Sequence, residues 1–450
     1  MDGLFQHPAR AGRCWYHCLF PPRGSETIPT PRIIPRPEHN ISRANISENA
    51  LKVLYRLRKS GYQAYLVGGG VRDLLLGREP KDFDVATDAT PEEVRQVFRN
   101  CRLIGRRFRL AHVRFGREII EVATFRSANF GRAVQSANGM VLDDNQYGTI
   151  EEDALRRDFT VNALYYNIAD FSVVDYSTGM EDLQAGRLRM LGDPETRYRE
   201  DPVRLLRAVR FAAKLGFTIE PHTEAPIARL GHLLAEVPPA RLFEECLKLF
   251  ISGHAVASFE KMRHYDLFGQ LFPQTEEALS HEEHDFPLEL VRKGLENTDA
   301  RLAQGKPVTP AFLFAVLLWE PLRRLAETFE RAEGLPPVPA IQQAAGIVIQ
   351  RQVERVAIPR RFTTPMREIW TMQPRFAHTH GKRPRRLLAH PRFRAGYDFL
   401  LLRAAAGEAD PELAAWWTRY QEQQGLDPQG GQPSARKRRR RRPRKRPAAK

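Results

Sequence analysis

Residues 65–87, YLVGGGVRDLLLGREPKDFDVAT, leave the chain few folds to choose from. Residues 64–67 read as a strand, Gly68, Gly69 and Gly70 as a turn, 71–76 as a short helix and 83–86 as a second strand. Asp82 and Asp84 flank Phe83 on that second strand. Side chains two apart on a strand share a face. Both carboxylates therefore point one way, while Phe83 and Val85 point into a core. Paired carboxylates repel unless a cation sits between them. Glycines let a backbone approach a phosphate, and the helix that follows offers its N–H groups. The segment predicts a centre that holds Mg²⁺ and phosphates together, with Arg72 as a bidentate phosphate donor. A triple glycine alone reads equally well as a structural turn; Asp82 and Asp84 tip the balance.

Three further stretches can supply this centre. Glu121 is the one charge in the apolar strand IIEVATF, and a lone carboxylate there needs a partner or a metal. A core ion pair is the alternative for it. Arg156 and Arg157 precede Asp158, which could cap a helix; this trio suits a triphosphate and a ribose, or else a solvated basic face. In REDPVRLLRAVR, Asp201, Arg204, Leu205 and Ala208 fall on one side of a helix, with Arg207 and Arg210 following. Arginines with an acid at the N-terminal end can read a base edge, although a salt-bridged surface helix has the same pattern.

Around the centre the periodicity predicts a small α/β unit. Residues 47–60 form an amphipathic helix capped by Ser47, with Ala50, Val53, Leu54 and Leu57 as its apolar face. Thr90 caps a helix over 91–99 with Pro91 at its first position. Residues 103–104, 111–115, 118–125 and 173–175 read as strands. From Asp201 onward the pattern is helix after helix, including 202–215, 223–234, 239–251, 255–265, 287–293, 310–332, 340–356, 363–370, 385–403 and 411–424. Residues 1–46 are proline-rich and read as a flexible leader; Cys14, His17 and Cys18 within it are a weak zinc pattern.

Composition narrows the partners. Net charge is +16, and eleven Lys/Arg with no Asp/Glu lie between Arg436 and Lys450. A mildly basic body with a strongly basic, disordered tail points to nucleic acid rather than membrane. No apolar run is long enough to span a bilayer, and four cysteines in 450 residues fit a reducing cytoplasm.

Together these segments resemble the class II nucleotidyltransferase superfamily of bacterial poly(A) polymerases and CCA-adding enzymes. The resemblance is strongest over residues 47–270. It rests on GGVRD (69–73), the DFD strand (82–84), RRD (156–158), DYSTGMEDL (175–183) and EDPVR (200–204) in the family's order. LIGRRFRLAHV (103–113), with Arg106, Arg107 and Arg109, is similar to the segment that marks the poly(A) polymerase branch, as are residues 297–315 and the arginine-rich tail. His281, His284 and Asp285 look superficially like an HD-type metal site but read better as loop residues.

The resemblance implies an α+β fold: a mixed-sheet catalytic head over 47–178, a helical neck that recognises the base over 179–253, a helical RNA-binding body over 254–424 and a disordered basic tail over 425–450. It implies a cytoplasmic enzyme that adds AMP from ATP to the 3′ ends of mRNA and other transcripts, with RNA-decay proteins as further partners. Asp82 and Asp84 would hold two Mg²⁺, with Glu121 or Asp158 completing the acids. Gly68, Gly69, Gly70, Arg72 and Arg157 would contact the nucleotide's phosphates and sugar, and Asp201, Arg204 and Arg207 its base. A CCA-adding enzyme and a non-catalytic RNA-binding protein on the same scaffold are the alternatives.

Overall fold

The glycine turn and Asp84 lie in the middle of an eight-stranded mixed sheet with helices on both of its faces. The computed structural model describes residues 30–105, 109–127, 134–135, 141–143, 146–280 and 286–428. In chain order the strands are β1 (Arg32–Ile34), β2 (Ala64–Val67), β3 (Asp84–Thr87), β4 (Cys101–Ile104), β5 (Leu110–Phe115), β6 (Glu118–Thr124), β7 (Val134–Gln135), β8 (Val141–Asp143), β9 (Leu164–Asn167), β10 (Val173–Asp175) and the parallel pair β11 (Arg187–Leu188) and β12 (Thr218–Ile219). The sheet runs β1-β10-β9-β2-β3-β6-β5-β4, and β7 pairs with β8 separately. Within the main sheet every neighbouring pair is antiparallel except β3 and β6, which run parallel with Asp84 opposite Glu121.

Alternation along the strands gives the sheet two apolar faces. Leu66, Val85, Ile120 and Val122 pack on one side with α1 (Glu48–Lys59), whose Ala50, Val53, Leu54 and Leu57 are fully buried. Burying side chains of this kind contributes ~1.5–3 kcal/mol for each large one. Ser47 caps α1 by accepting from the Asn49 N–H. On the other side Val67, Ala86 and Tyr165 pack with Ile150 and Ala154 of α4 (Ile150–Arg156). Asp84 and Glu121 share the face that α4 covers, one residue out of phase with Val85 and Val122. Two further helices pack on the α1 side: α2 (Gly69–Leu75), and α3 (Pro91–Val97), which begins with a Thr90/Glu93 capping box.

After β10 the chain is almost wholly helical: α5 (Gly179–Gln184), α6 (Pro194–Glu200), α7 (Val203–Leu215), α8 (Pro221–Glu224), α9 (Ile227–Leu230), α10 (Pro239–Phe250), and then helices to Pro411–Gln423. This is the expected α+β architecture. Among the described residues no helix is long and apolar enough to cross a membrane.

The structure departs from expectation in several places. The flexible leader does not extend through residue 46. Arg32–Ile34 adds an edge strand to β10, and Ile34, Ile41 and Ile46 enter the core. Three isoleucines spaced among prolines carry no period, so the pattern hid them. The helix expected over 310–332 breaks at Leu318. Pro321 has no N–H for the Leu317 carbonyl, which accepts instead from the Thr275 hydroxyl at 2.8 Å. The helix expected over 385–403 likewise divides into Arg383–Leu388 and Phe393–Ala405, with Pro391 between them. Cys14, His17, Cys18, Arg106, Arg107, His281, His284, Asp285 and the run from Arg436 to Lys450 lie outside the described residues.

Candidate active site

A cleft of about 270 Å³ opens on the α4 face of the sheet, lined by Asp84, Glu121, Arg126, Arg156, Arg157 and Arg204 among others. Its floor follows from the register, since Asp84 pairs with Val67 on one side and with Glu121 on the other. Val67 leads directly into Gly68, whose φ of +72° and ψ of −139° belong to glycine. A Cβ there would lie 3.6 Å from Arg157 Nη1 and 3.9 Å from Asp84 Oδ2, so the turn brings backbone, carboxylate and guanidinium together. Gly70 faces the Asp82 carbonyl in the same way, at 3.4 Å.

Asp82 stands two residues before β3 and is exposed, while Phe83 and Asp84 alternate as expected. The pair therefore straddles the strand's beginning rather than lying within it. Burial, then the Glu121 carboxylate, push the Asp84 carboxyl up to about 6; Arg157 pulls it back and Asp82 adds to the rise. Glu121 also meets His112, directly opposite on β5, with 3.1 Å between Nε2 and Oε1. Excess negative charge is thus concentrated at one end of a cleft whose other wall is arginine. Among the described residues no group of three His, Cys, Asp or Glu side chains already converges on one point.

The other predicted residues are placed less simply. Arg72 is 2% exposed, and its guanidinium is engaged within the protein. Its Nε and Nη2 donate to Asp73 Oδ1 at 2.8 and 2.6 Å, its Nη1 donates to Asn162 at 2.6 Å, and it lies over the Phe211 ring. Asp158 does not line the cleft either. It accepts from Arg207 Nε at 2.7 Å, from the Phe159 N–H and from Asn162. Burial alone would raise the Asp158 carboxyl, but Arg207 and these donors hold it down at about 2. The Asp158–Arg207 pair therefore ties the sheet unit to α7 and positions what surrounds it.

Arg157 does face the cleft. Its Nε donates to Tyr165 at 2.8 Å and its Nη2 to Asp153 at 3.0 Å, and Tyr165 donates to the same Asp153 oxygen at 2.6 Å. Burial would lower this guanidinium, but Tyr165 and Asp153 keep it firmly charged. Asp201 caps the end of α6 rather than starting α7, and both of its oxygens are taken by Arg241 of α10, at 2.8 and 2.7 Å. Arg204 reaches the cleft, fixed by the Arg197 carbonyl at 2.7 Å and by Glu200 at 3.2 Å. The two residues expected to act together on a base are thus engaged separately, Asp201 by Arg241 and Arg204 by Glu200 and the Arg197 carbonyl.

Sequence reasoning missed Arg197, Arg126, Asp153, Tyr165 and Arg241. Arg197 is the most consequential. It is buried, donates to the carbonyls of Arg156 and, at 2.7 Å, of Arg157, and pairs with Glu200 at 2.7 Å. Burial, then Arg204, lower it to about 10, so it stays charged at neutral pH. Its only signal in the sequence is an i,i+3 pairing with Glu200, which gives no hint of a reach across about forty residues. In the 175–183 segment, Asp175 accepts from the Ser177 and Met180 N–H groups, and Asp182 accepts from Thr160, Thr178 and Arg189. Both residues brace a turn.

The comparisons with known proteins agree with this geometry. The family described as "Poly A polymerase head domain" matches residues 64–189, "Probable RNA and SrmB- binding site of polymerase A" residues 216–279, and "Polymerase A arginine-rich C-terminus" residues 333–447. Poly(A) polymerase I of Salmonella typhi is 53% identical over 429 residues, covering 92% of each chain. The chain belongs to the poly(A) polymerase I family. A CCA-adding enzyme of Lactobacillus helveticus is 38% identical over only 211 residues, 47% of this chain and 52% of its own. In sequence, the likeness to poly(A) polymerase I thus spans most of the chain, whereas that to this CCA-adding enzyme covers about half. The Thermotoga maritima CCA-adding enzyme complexed with tRNA shares the fold, with a TM-score of 0.54 at 21% identity over 85% of this chain and 82% of its own.

Proposed function

We propose that the Asp84 cleft is where AMP passes from ATP to an RNA 3′-hydroxyl, without a template and with release of pyrophosphate. The reaction is that of a polynucleotide adenylyltransferase. The 3′ oxygen forms its bond to the α-phosphorus as the bond from that phosphorus to the bridging oxygen breaks. The observation that carries this reading is the register placing Asp84 beside Glu121 and beneath Gly68, against Arg157.

The acids suit Mg²⁺. The ion takes oxygen ligands and is usually held by one or two carboxylates together with substrate phosphates and water. Asp84, Asp82 and Glu121 supply hard oxygens, and the raised Asp84 carboxyl shows the charge a cation would relieve. Two such ions would activate the 3′-hydroxyl and neutralise the leaving pyrophosphate. The chain's own residues do the positioning. The turn at Gly68 lets the triphosphate approach the backbone, and Arg157, Arg156 and Arg126 line the wall its charge would meet. Asp153 and Tyr165 aim Arg157, Arg197 holds the backbone that carries it, and Asp158 with Arg207 ties that segment to α7. Arg204, held by Glu200 and the Arg197 carbonyl at the cleft's edge, would meet the base. In this reading residues 47–178 form the catalytic head, 179–253 the neck and 254–424 an RNA-binding body. Cys101 and Cys246 are free thiols, in keeping with a cytoplasmic enzyme.

Asp82→Asn or Asp84→Asn should abolish AMP transfer to RNA and weaken Mn²⁺ binding to the folded protein. Retained transfer in a pure preparation of either variant would refute the assignment.

A further inference from the structure

Five residues stand directly opposite one another across neighbouring strands of the main sheet: Val67 on β2, Asp84 on β3, Glu121 on β6, His112 on β5 and Arg102 on β4. Opposite residues on paired strands share a face. The row therefore runs from the middle of the sheet to its edge strand, β4, on the face that carries the cleft. It holds two acids side by side, then a histidine, then an arginine. Glu121 lies between Asp84 and His112, so His112 meets the side of Glu121 away from Asp84.

The contact between them is specific to one oxygen. His112 Nε2 is 3.1 Å from Glu121 Oε1. That nitrogen is buried, yet the approach is not aligned as a hydrogen bond. Buried polar atoms left without one are few in folded proteins. The other oxygen, Glu121 Oε2, has no hydrogen-bond or ion-pair partner among the described residues. The Glu121 side chain is 48% exposed, against 18% for His112, so packing alone does not fix where this carboxylate points. A direct role for the ring fits less well. Mg²⁺ takes oxygen ligands, and Glu121 separates the ring from Asp84. A group behind a metal ligand sets that ligand's orientation, and removing it typically costs about 10–100-fold in metal affinity or activity.

We propose that His112 is a positioning residue for AMP transfer: it holds Glu121 by Oε1 and leaves Oε2 for the ion that Asp84 also binds. The inference rests on the cleft holding Mg²⁺. The test titrates Mn²⁺ into the full-length chain without ATP or RNA, read by the electron paramagnetic resonance of the free ion. His112→Leu keeps the bulk of the ring and removes the nitrogen; it should raise the Mn²⁺ Kd by about tenfold, the lower end of the usual effect. With RNA, ATP and Mg²⁺ it should lower kcat to a similar extent, while KM for ATP moves less than kcat. His112→Gln, whose amide nitrogen can stand near the place of Nε2, should recover most of the Mn²⁺ affinity. Arg102→Ala, at the exposed position one strand further along the same row, should leave Mn²⁺ binding as in wild type. An unchanged Mn²⁺ Kd in His112→Leu would overturn the proposal. An equal loss in His112→Leu and His112→Gln would overturn it too, since the ring would then serve packing alone. If Asp84→Asn binds Mn²⁺ as well as wild type, the metal reading itself fails; if Asp84→Asn loses Mn²⁺ and His112→Leu does not, only the role of His112 fails.

Discussion

Asp84→Asn should make the head more stable while it removes activity. Burial and the neighbouring Glu121 raise the Asp84 carboxyl from 3.8 to about 6 in the folded chain. Below 3.8 the group is protonated in both states and has no effect. Between 3.8 and 6 the unfolded chain releases the proton and the folded chain keeps it, so stability falls as pH rises. Above 6 the penalty is complete, and the shift makes it ~3 kcal/mol. Asparagine has nearly the same shape and no charge to desolvate. The variant should therefore gain up to ~3 kcal/mol at pH 8, progressively less below pH 6 and almost nothing near pH 4. Native-state hydrogen exchange of the β2, β3 and β6 amides measures this locally. Fluorescence would not, because the tryptophans among the described residues, Trp319, Trp370, Trp416 and Trp417, all lie in the helical body. Added Mg²⁺ should stabilise the wild type and leave the variant nearly unchanged. An Asp84→Asn head no more stable than wild type at pH 8, with chelator present, would refute the charge-crowding argument.

Two further outcomes follow from the partners of the cleft. Arg207→Met leaves Asp158 buried without its cation and should destabilise the chain by ~3–5 kcal/mol at pH 7, as for other broken buried pairs. Because the Asp158 carboxyl is held down at about 2, the wild-type advantage is present above 3.8 and is lost as pH falls through 2; urea melts at pH 7 and pH 3 that show the same difference would contradict this. Arg197→Met releases the carbonyls of Arg156 and Arg157. Its kcat/KM for ATP should fall about 10²-fold, the usual effect of misplacing a binding group by about an ångström. Steady-state kinetics showing an unchanged value would mean that Arg197 only supports the fold.

Much of the fold and the centre of the site could be read from residue pattern. The strand before the glycine turn, the buried face of α1, and Phe83 and Val85 opposite Asp84 all follow from periods of 3.6 and 2. Glu121 stood out as a lone charge in an apolar strand, and it does face Asp84. Pro321 and Pro391 announced helix breaks that the apolar periodicity around them obscured. Tertiary ion pairs were not legible. Asp158 meets Arg207 and Asp201 meets Arg241 across forty residues or more. Local spacing cannot choose among the many arginines available. The same holds for Arg72: next to a glycine turn it looks like a phosphate donor, and only the packing of Asp73, Asn162 and Phe211 around it shows a brace. Where the sequence suggested a residue touching substrate, the structure often shows one holding another in place.

The central claim is that the Asp84 cleft adds adenylate residues to RNA 3′ ends. It is tested most directly by giving the purified full-length chain a generic RNA with ATP, and, separately, a tRNA lacking its terminal CCA with CTP and ATP, each with Mg²⁺. A lengthening ladder of A residues on the generic RNA, with little CTP incorporation at the tRNA end, is the predicted result. Efficient CTP addition followed by arrest at a completed CCA end, with no ladder on the generic RNA, would contradict it.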